Sequence, residues 1–293
     1  MGKIFQGTGV ALVTPFHKQG NVDFTALGRI VENIISSGVN YLVCLGTTSE
    51  AACLNQQEKL AVLDYVIETA NGRLPIVVGL GGNNTMELVD RINHFNFDGI
   101  DGVLSVAPYY NKPQQKGIYQ HYKAISESSP KPILLYNVPG RTASNISAET
   151  CLQLAEECKN IVGVKEASGN FSQCMEIIRN KPSNFQVLSG EDALVVPLMS
   201  LGMTGVISVT ANAYPKEVSE MVNLCLKGDY KKAKDLHYKL LPFSNAIFEE
   251  GNPSGVKAAL EIMGYCQNHL RLPLIKTTKP LYNKLQSIIE ELK

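Results

Sequence analysis

Eight short β-rich runs recur along this 293-residue chain with helical segments between them, and that alternation limits the fold more than any other feature. The runs span residues 9–15, 39–46, 75–81, 102–108, 132–139, 161–167, 185–191 and 205–210. Most are continuously apolar rather than alternating, as strands covered on both faces are. Helical stretches such as FTALGRIVENIISSG and NQQEKLAVLDYVIETANG space them at intervals of about 20 to 35 residues, which suits right-handed crossovers in a parallel sheet. Eight β-then-α units predict an α/β protein, a (β/α)8 TIM barrel forming a catalytic domain over 1–225, with a C-terminal helical extension over 226–293. An open doubly wound sheet is the competing architecture. GLGGNN (79–84) follows a strand as a dinucleotide fingerprint does, but Asn84 stands at the third glycine position and no acidic residue ends a following strand.

Charge and composition narrow the partners. Lys plus Arg and Asp plus Glu both total 27, so no net charge draws the chain to nucleic acid or an anionic membrane. Its longest apolar runs are strand-sized, and the N-terminus lacks a signal-peptide core and carries Gln6 where myristoylation needs Ser or Thr. A cytoplasmic protein is expected. The seven cysteines, at 44, 53, 151, 158, 174, 225 and 266, include no C-x-x-C pair and read as buried small apolar residues. Cys151 and Cys158 share a helix face, yet no His or acid completes a ligand set, so neither a metal nor a cofactor is expected.

In a parallel barrel the chemistry lies where strands end, and there an unpaired lysine interrupts IVGVKEA. A period of two places Ile161, Gly163 and Lys165 on one face, with Leu134 and Tyr136 facing the same way on the preceding strand. Gly163 leaves an unfilled space beneath the lysine. Desolvation there favours the neutral amine that a Schiff-base nucleophile needs, although Lys165 could instead snorkel out or pair with Glu166. Thr47 and Thr48 follow the second strand, where they could cap a helix or offer hydroxyls and N–H groups to a small carboxylate. Tyr109 and Tyr110 follow the fourth strand; Tyr136, Asn137 and Arg141 end the fifth. Several hydroxyls and one guanidinium thus converge on the lysine's end of the barrel.

GTTSE, PYYNKP, YNVPGRT, GVKEAS and LSGED, in this order at these strand ends, resemble the dihydrodipicolinate synthase (4-hydroxy-tetrahydrodipicolinate synthase) family of the pyruvate-dependent class I aldolase superfamily. The resemblance extends to GNPSGVKAAL in the helical extension. It implies a lyase that condenses pyruvate with L-aspartate 4-semialdehyde in lysine and diaminopimelate biosynthesis. Lys165 resembles the Schiff-base lysine; Thr47, Tyr136 and Tyr110 the proton relay, with Tyr110 reaching into a neighbouring subunit's site. Thr47 and Thr48 resemble the binders of the pyruvate carboxylate, and Arg141 the residue that holds the carboxylate of the second substrate. Gly190 and Ile207 look like backbone groups lining the pocket. A homodimer or a homotetramer built as a dimer of dimers is implied, with no nucleic acid or membrane partner.

Two departures from the family pattern stand out. Ser49 replaces a usual glycine, which puts the local turn geometry in question. Asn83, Glu87 and Tyr109 match a family site for L-lysine, but Gln56 and Lys59 stand where sensitive members carry histidines. A cation at 59 disfavours a cationic effector, so weak or absent lysine inhibition is expected. The alternatives with the same lysine chemistry are an N-acetylneuraminate lyase or a 2-keto-3-deoxy sugar acid aldolase, against which Arg141 speaks. From another class the alternative is a non-catalytic metabolite-binding barrel.

Overall fold

In the computed structural model, strand formation follows the apolar runs closely, over the described residues 4–293. Residues 1–3, on which the lipidation reading partly rests, lie outside them. The strands are β1 (Gly7–Ala11), β2 (Tyr41–Cys44), β3 (Ile76–Gly79), β4 (Gly102–Val106), β5 (Ile133–Asn137), β6 (Ile161–Glu166), β7 (Gln186–Ser189) and β8 (Gly205–Ser208). All pair in parallel in sequence order, and β8 returns to β1 through the register Gly7↔Gly205. The barrel is closed, which rules out the open doubly wound sheet. Closure brings the two end strands very near: a Cβ on Gly205 would stand 2.1 Å from the Gly7 carbonyl oxygen. Only glycine fits there.

Helices α1 (Phe24–Ser36), α2 (Gln56–Ala70), α3 (Thr85–Asn93), α4 (Gln115–Ser128), α5 (Pro139–Thr142), α6 (Ala148–Glu157), α7 (Phe171–Asn180), α8 (Val195–Ser200) and α9 (Pro215–Leu226) follow the strands. The extension comprises α10 (Tyr230–Ala246), α11 (Ser254–Ile262) and α12 (Lys279–Leu292). α1 shows why such segments coil: Leu27, Ile30, Val31 and Ile34 recur at helical spacing and are buried, while Asp23 accepts from the Ala26 N–H to cap the first turn. The core has two layers. One fills the barrel with Tyr41, Val43, Val77, Leu134, Leu188 and Ile207; the other lies between strands and helices. Six of the seven cysteines are buried, as expected of small apolar side chains.

Two local differences from the sequence reading position the site. The apolar runs outlast the strands at their C-terminal ends, because residues such as Val13, Leu45 and Val209 leave the ladder to form loops. Along β6 the strict alternation also fails. Ile133 pairs with Ile161 but Leu134 pairs with Gly163, so a bulge at Val162 resets the faces. Ile161 consequently packs outward in the helix-facing layer, Val162 contacts the interior, and Gly163 and Lys165 point inward.

Candidate active site

Lys165 is 6% exposed, and its Nζ lies 4.3 Å from the centroid of the Tyr136 ring, directly across the β5–β6 ladder. It neither snorkels nor pairs with Glu166. The Glu166 carboxylate sits on the other face of β6, where it accepts from Asn137 Nδ2, the Ser168 N–H and Gln173 Nε2. Among the described residues no carboxylate oxygen comes within ion-pair distance of the Lys165 amine. The space above Gly163 is also not empty, contrary to the sequence expectation: a Cβ there would lie 2.6 Å from the Gln186 carbonyl oxygen and 2.9 Å from Leu134 Cδ2. Glycine here admits a neighbouring strand rather than leaving a void. At Gly190 a Cβ would lie 3.0 Å from Lys165 Cε, so that glycine keeps room for the lysine stem.

A 380 Å³ cavity opens at this end of the barrel. Lys165, Tyr136, Thr47, Thr48, Arg141 and Gly190 all line it, so six of the expected residues converge. Two do not. Ile207 is fully buried inside the barrel, and Val209, two residues on, lines the cavity in its place. Tyr110 is 86% exposed, held at φ 78° with its N–H on the Thr142 carbonyl, and lines no part of it.

The turn carrying the threonines is not the N-terminus of α2. Asn55 caps that helix through a reciprocal capping box with Glu58, while residues 47–50 form a separate tight turn closed by Glu50 N–H to the Thr47 carbonyl. Leu45 and Glu50 both have positive φ, and Gly79 makes the first possible, since a Cβ there would lie 2.2 Å from the Leu45 carbonyl oxygen. Ser49 fits without disturbance: its hydroxyl donates to the Leu12 carbonyl at 2.6 Å and it does not line the cavity.

Several residues that secure the site come from the extension, and none was singled out from the sequence. Asn252 lines the cavity and donates through Nδ2 to Thr48 Oγ1 at 3.0 Å. Glu50 and Lys257 form an ion pair with both side chains 0% exposed, and Lys257 also donates to the His269 carbonyl and lies 4.1 Å from the Phe16 ring centroid. The Arg271 N–H reaches Glu50 Oε2, while its guanidinium grips Glu58 in a bidentate pair that pushes the Glu58 carboxyl down to about 2. The only local signal was GNPSGVKAAL, whose partners are more than 200 residues away.

A second cavity of 630 Å³ adjoins the first, sharing Thr47, Tyr136, Arg141 and Asn252 with it. Gln56, Lys59, Asn83, Glu87 and Tyr109, all five candidate effector residues, line it together with Arg91. Glu87 is already engaged by Arg91 at 3.1 Å, and burial followed by the Arg91 charge lowers the Lys59 amine.

The profile of the dihydrodipicolinate synthetase family matches residues 4–292. The chain belongs to that family. A 4-hydroxy-tetrahydrodipicolinate synthase of Flavobacterium psychrophilum is 51% identical over 98% of both chains. Among solved structures, the dihydrodipicolinate synthase of Thermotoga maritima superposes with a TM-score of 0.96 at 39% identity over 99% of both chains. A monomeric dihydrodipicolinate synthase variant superposes equally well, with a TM-score of 0.96 at 39% identity over 99% of this chain and 97% of that one. In this dihydrodipicolinate synthetase family member, the lysine at the end of β6 and the threonine turn after β2 thus line one cavity at the C-terminal end of the barrel. Among the described residues no helix is long and apolar enough to cross a membrane, and no group of three or more His, Cys, Asp or Glu is placed to hold a metal.

Proposed function

We propose that Lys165 forms a Schiff base with pyruvate and that the resulting enamine attacks the aldehyde of L-aspartate 4-semialdehyde. The activity is that of 4-hydroxy-tetrahydrodipicolinate synthase, a lyase of lysine and diaminopimelate biosynthesis. The observation that carries the assignment of the nucleophile is an amine buried in the cavity, against a tyrosine ring, with no carboxylate in ion-pair range among the described residues. Attack of the neutral amine on the ketone and loss of water gives an iminium that acidifies the adjacent methyl group, and Tyr136 and Thr47 carry the proton away. Thr48, oriented by Asn252, and the N–H groups of the turn hold the pyruvate carboxylate. Arg141 orients the carboxylate of the second substrate by a bidentate pair that lysine could not match. Gly190 and Val209, the latter in the place expected of Ile207, complete the walls.

Incubation with pyruvate and borohydride, followed by peptide mapping, tests the nucleophile. An adduct on Lys165 is expected, and its absence refutes the assignment. Arg141→Ala is expected to raise KM for the semialdehyde while the pyruvate adduct still forms.

The exposure of Tyr110 supports a homodimer in which it completes a neighbour's relay, assembled further into a homotetramer in the cytoplasm. Sedimentation of wild type and Tyr110→Phe, with activity measured in parallel, checks this. The division at 225/226 is one of position rather than of function, since Asn252 and Lys257 serve the barrel's site. The cations Lys59 and Arg91 in the larger cavity support weak or absent inhibition by L-lysine, and a micromolar inhibition constant would contradict it.

A further inference from the structure

We propose that Glu191 binds the α-ammonium group of the second substrate, opposite the guanidinium of Arg141, and so makes the cavity select an amino acid over its deaminated analogue. This rests on the reading of the cavity as the site of pyruvate and the semialdehyde.

Glu191 is the one acidic residue among those lining the 380 Å³ cavity, which also holds Lys165 and Arg141. Its backbone is fixed, because Ser189 Oγ accepts from the Glu191 N–H at 3.1 Å and donates to the Glu191 carbonyl at 3.0 Å. Its carboxylate, by contrast, has neither a hydrogen-bond donor nor an ion-pair partner among the described residues. Asp192, the next residue, is the opposite case. It is buried and accepts from Ser208 Oγ at 2.5 Å, the Val209 N–H at 2.8 Å and the Thr210 N–H at 3.2 Å, so it belongs to the scaffold of β8.

A half-buried carboxylate without a donor is costly, and here the cost is visible. Burial, and then the Asp192 charge, raise the Glu191 carboxyl, with Lys165 and Arg141 pulling the other way. Lys165 is not its lasting partner, because the enamine that meets the second substrate leaves that nitrogen uncharged. Arg141 serves a carboxylate. What remains is a cation brought in from outside. The second substrate is a zwitterion with one carboxylate and one ammonium, and the cavity offers one free guanidinium and one free carboxylate.

Glu191→Gln keeps size and removes charge, which makes it the informative variant. With the full-length enzyme, KM for L-aspartate 4-semialdehyde is expected to rise about ten- to a hundredfold, the loss of one charge-assisted bond. Inhibition by 4-oxobutanoate, the same aldehyde acid without the amino group, is expected to change less than twofold. The borohydride-trapped pyruvate adduct on Lys165 is still expected to form, which also shows that the variant folds. An equal loss for both aldehydes, a loss confined to the pyruvate adduct, or an unchanged KM each overturns the proposal. Absence of the adduct in the wild type overturns the Schiff-base reading itself, a result the Glu191 variant cannot produce.

Discussion

Replacing Lys257 by Met tests how far the site depends on the extension. The thioether keeps most of the aliphatic stem against Phe16 but removes the ammonium that pairs with Glu50 and donates to the His269 carbonyl at 2.9 Å. Glu50 is then left as a fully buried carboxylate whose remaining donor is the Arg271 N–H at 3.0 Å. Removing one partner of a buried pair typically costs about 3–5 kcal/mol, chiefly for stranding the other charge. For a chain of 293 residues the unfolding entropy is about 0.6 kcal/mol/K, so the thermal midpoint should fall by about 5–8 °C. Because Glu50 also closes the turn of Thr47, KM for pyruvate should rise along with it. Adding Glu50→Gln to the variant removes the stranded charge and should restore about 2 kcal/mol, near 3 °C. Calorimetry and initial rates on the three proteins decide the matter. A loss below 1 kcal/mol in the single variant, or a double variant no more stable than the single one, would refute the account of Glu50 as a charge dependent on Lys257.

Other outcomes follow from particular contacts. Gly190→Ala places a methyl 3.0 Å from Lys165 Cε and 2.6 Å from Ala167 Cβ, so kcat should drop at least tenfold with a smaller loss of stability, measured by turnover and thermal melts. Ser49→Gly removes a buried hydrogen bond to Leu12 and should cost about 1–2 kcal/mol in denaturant titrations. His121 is buried with Nδ1 on Thr85 Oγ1 and Nε2 unpartnered, and burial pushes it down to about 4. The fold therefore holds it neutral, and its contribution to stability is present above pH 6.5 and lost as pH falls towards 4. At pH 5 that loss is about 2 kcal/mol, and His121→Leu should flatten this part of the stability profile between pH 7 and 4.

The barrel was legible because strands covered on both faces must be apolar throughout, and that requirement writes itself into the runs at 39–46 or 132–139. Lys165 was legible for the converse reason: a charge inside such a run has no local partner. Thr47, Tyr136 and Arg141 could be placed near it because strand ends share one rim. The bulge at Val162 was not legible, since a one-residue register change leaves no compositional trace in an apolar segment. Nor was the ion pair of Glu50 with Lys257, whose letters are ordinary in a turn and a helix and acquire meaning only when the chain brings them together. Glu191 shows a third limit. Adjacent acids at 191 and 192 look equivalent in sequence, and only the hydrogen bonds of Asp192 separate a scaffold group from a free one.

The contacts of Asn252 and Lys257 with the threonine turn also order events in time. Thr48 leaves the ribosome 204 residues before Asn252, and Glu50 leaves 207 residues before Lys257. At ordinary translation speeds this is a wait of about 10–40 s, during which strands emerge but the threonine turn lacks its contacts with the extension. A nascent chain can therefore pair its sheet long before the threonine turn is secured from the extension. With the turn in its proposed role, competence for pyruvate arrives together with the extension, and a translation product cut short before α11 is expected to be blind to it however well its strands have formed.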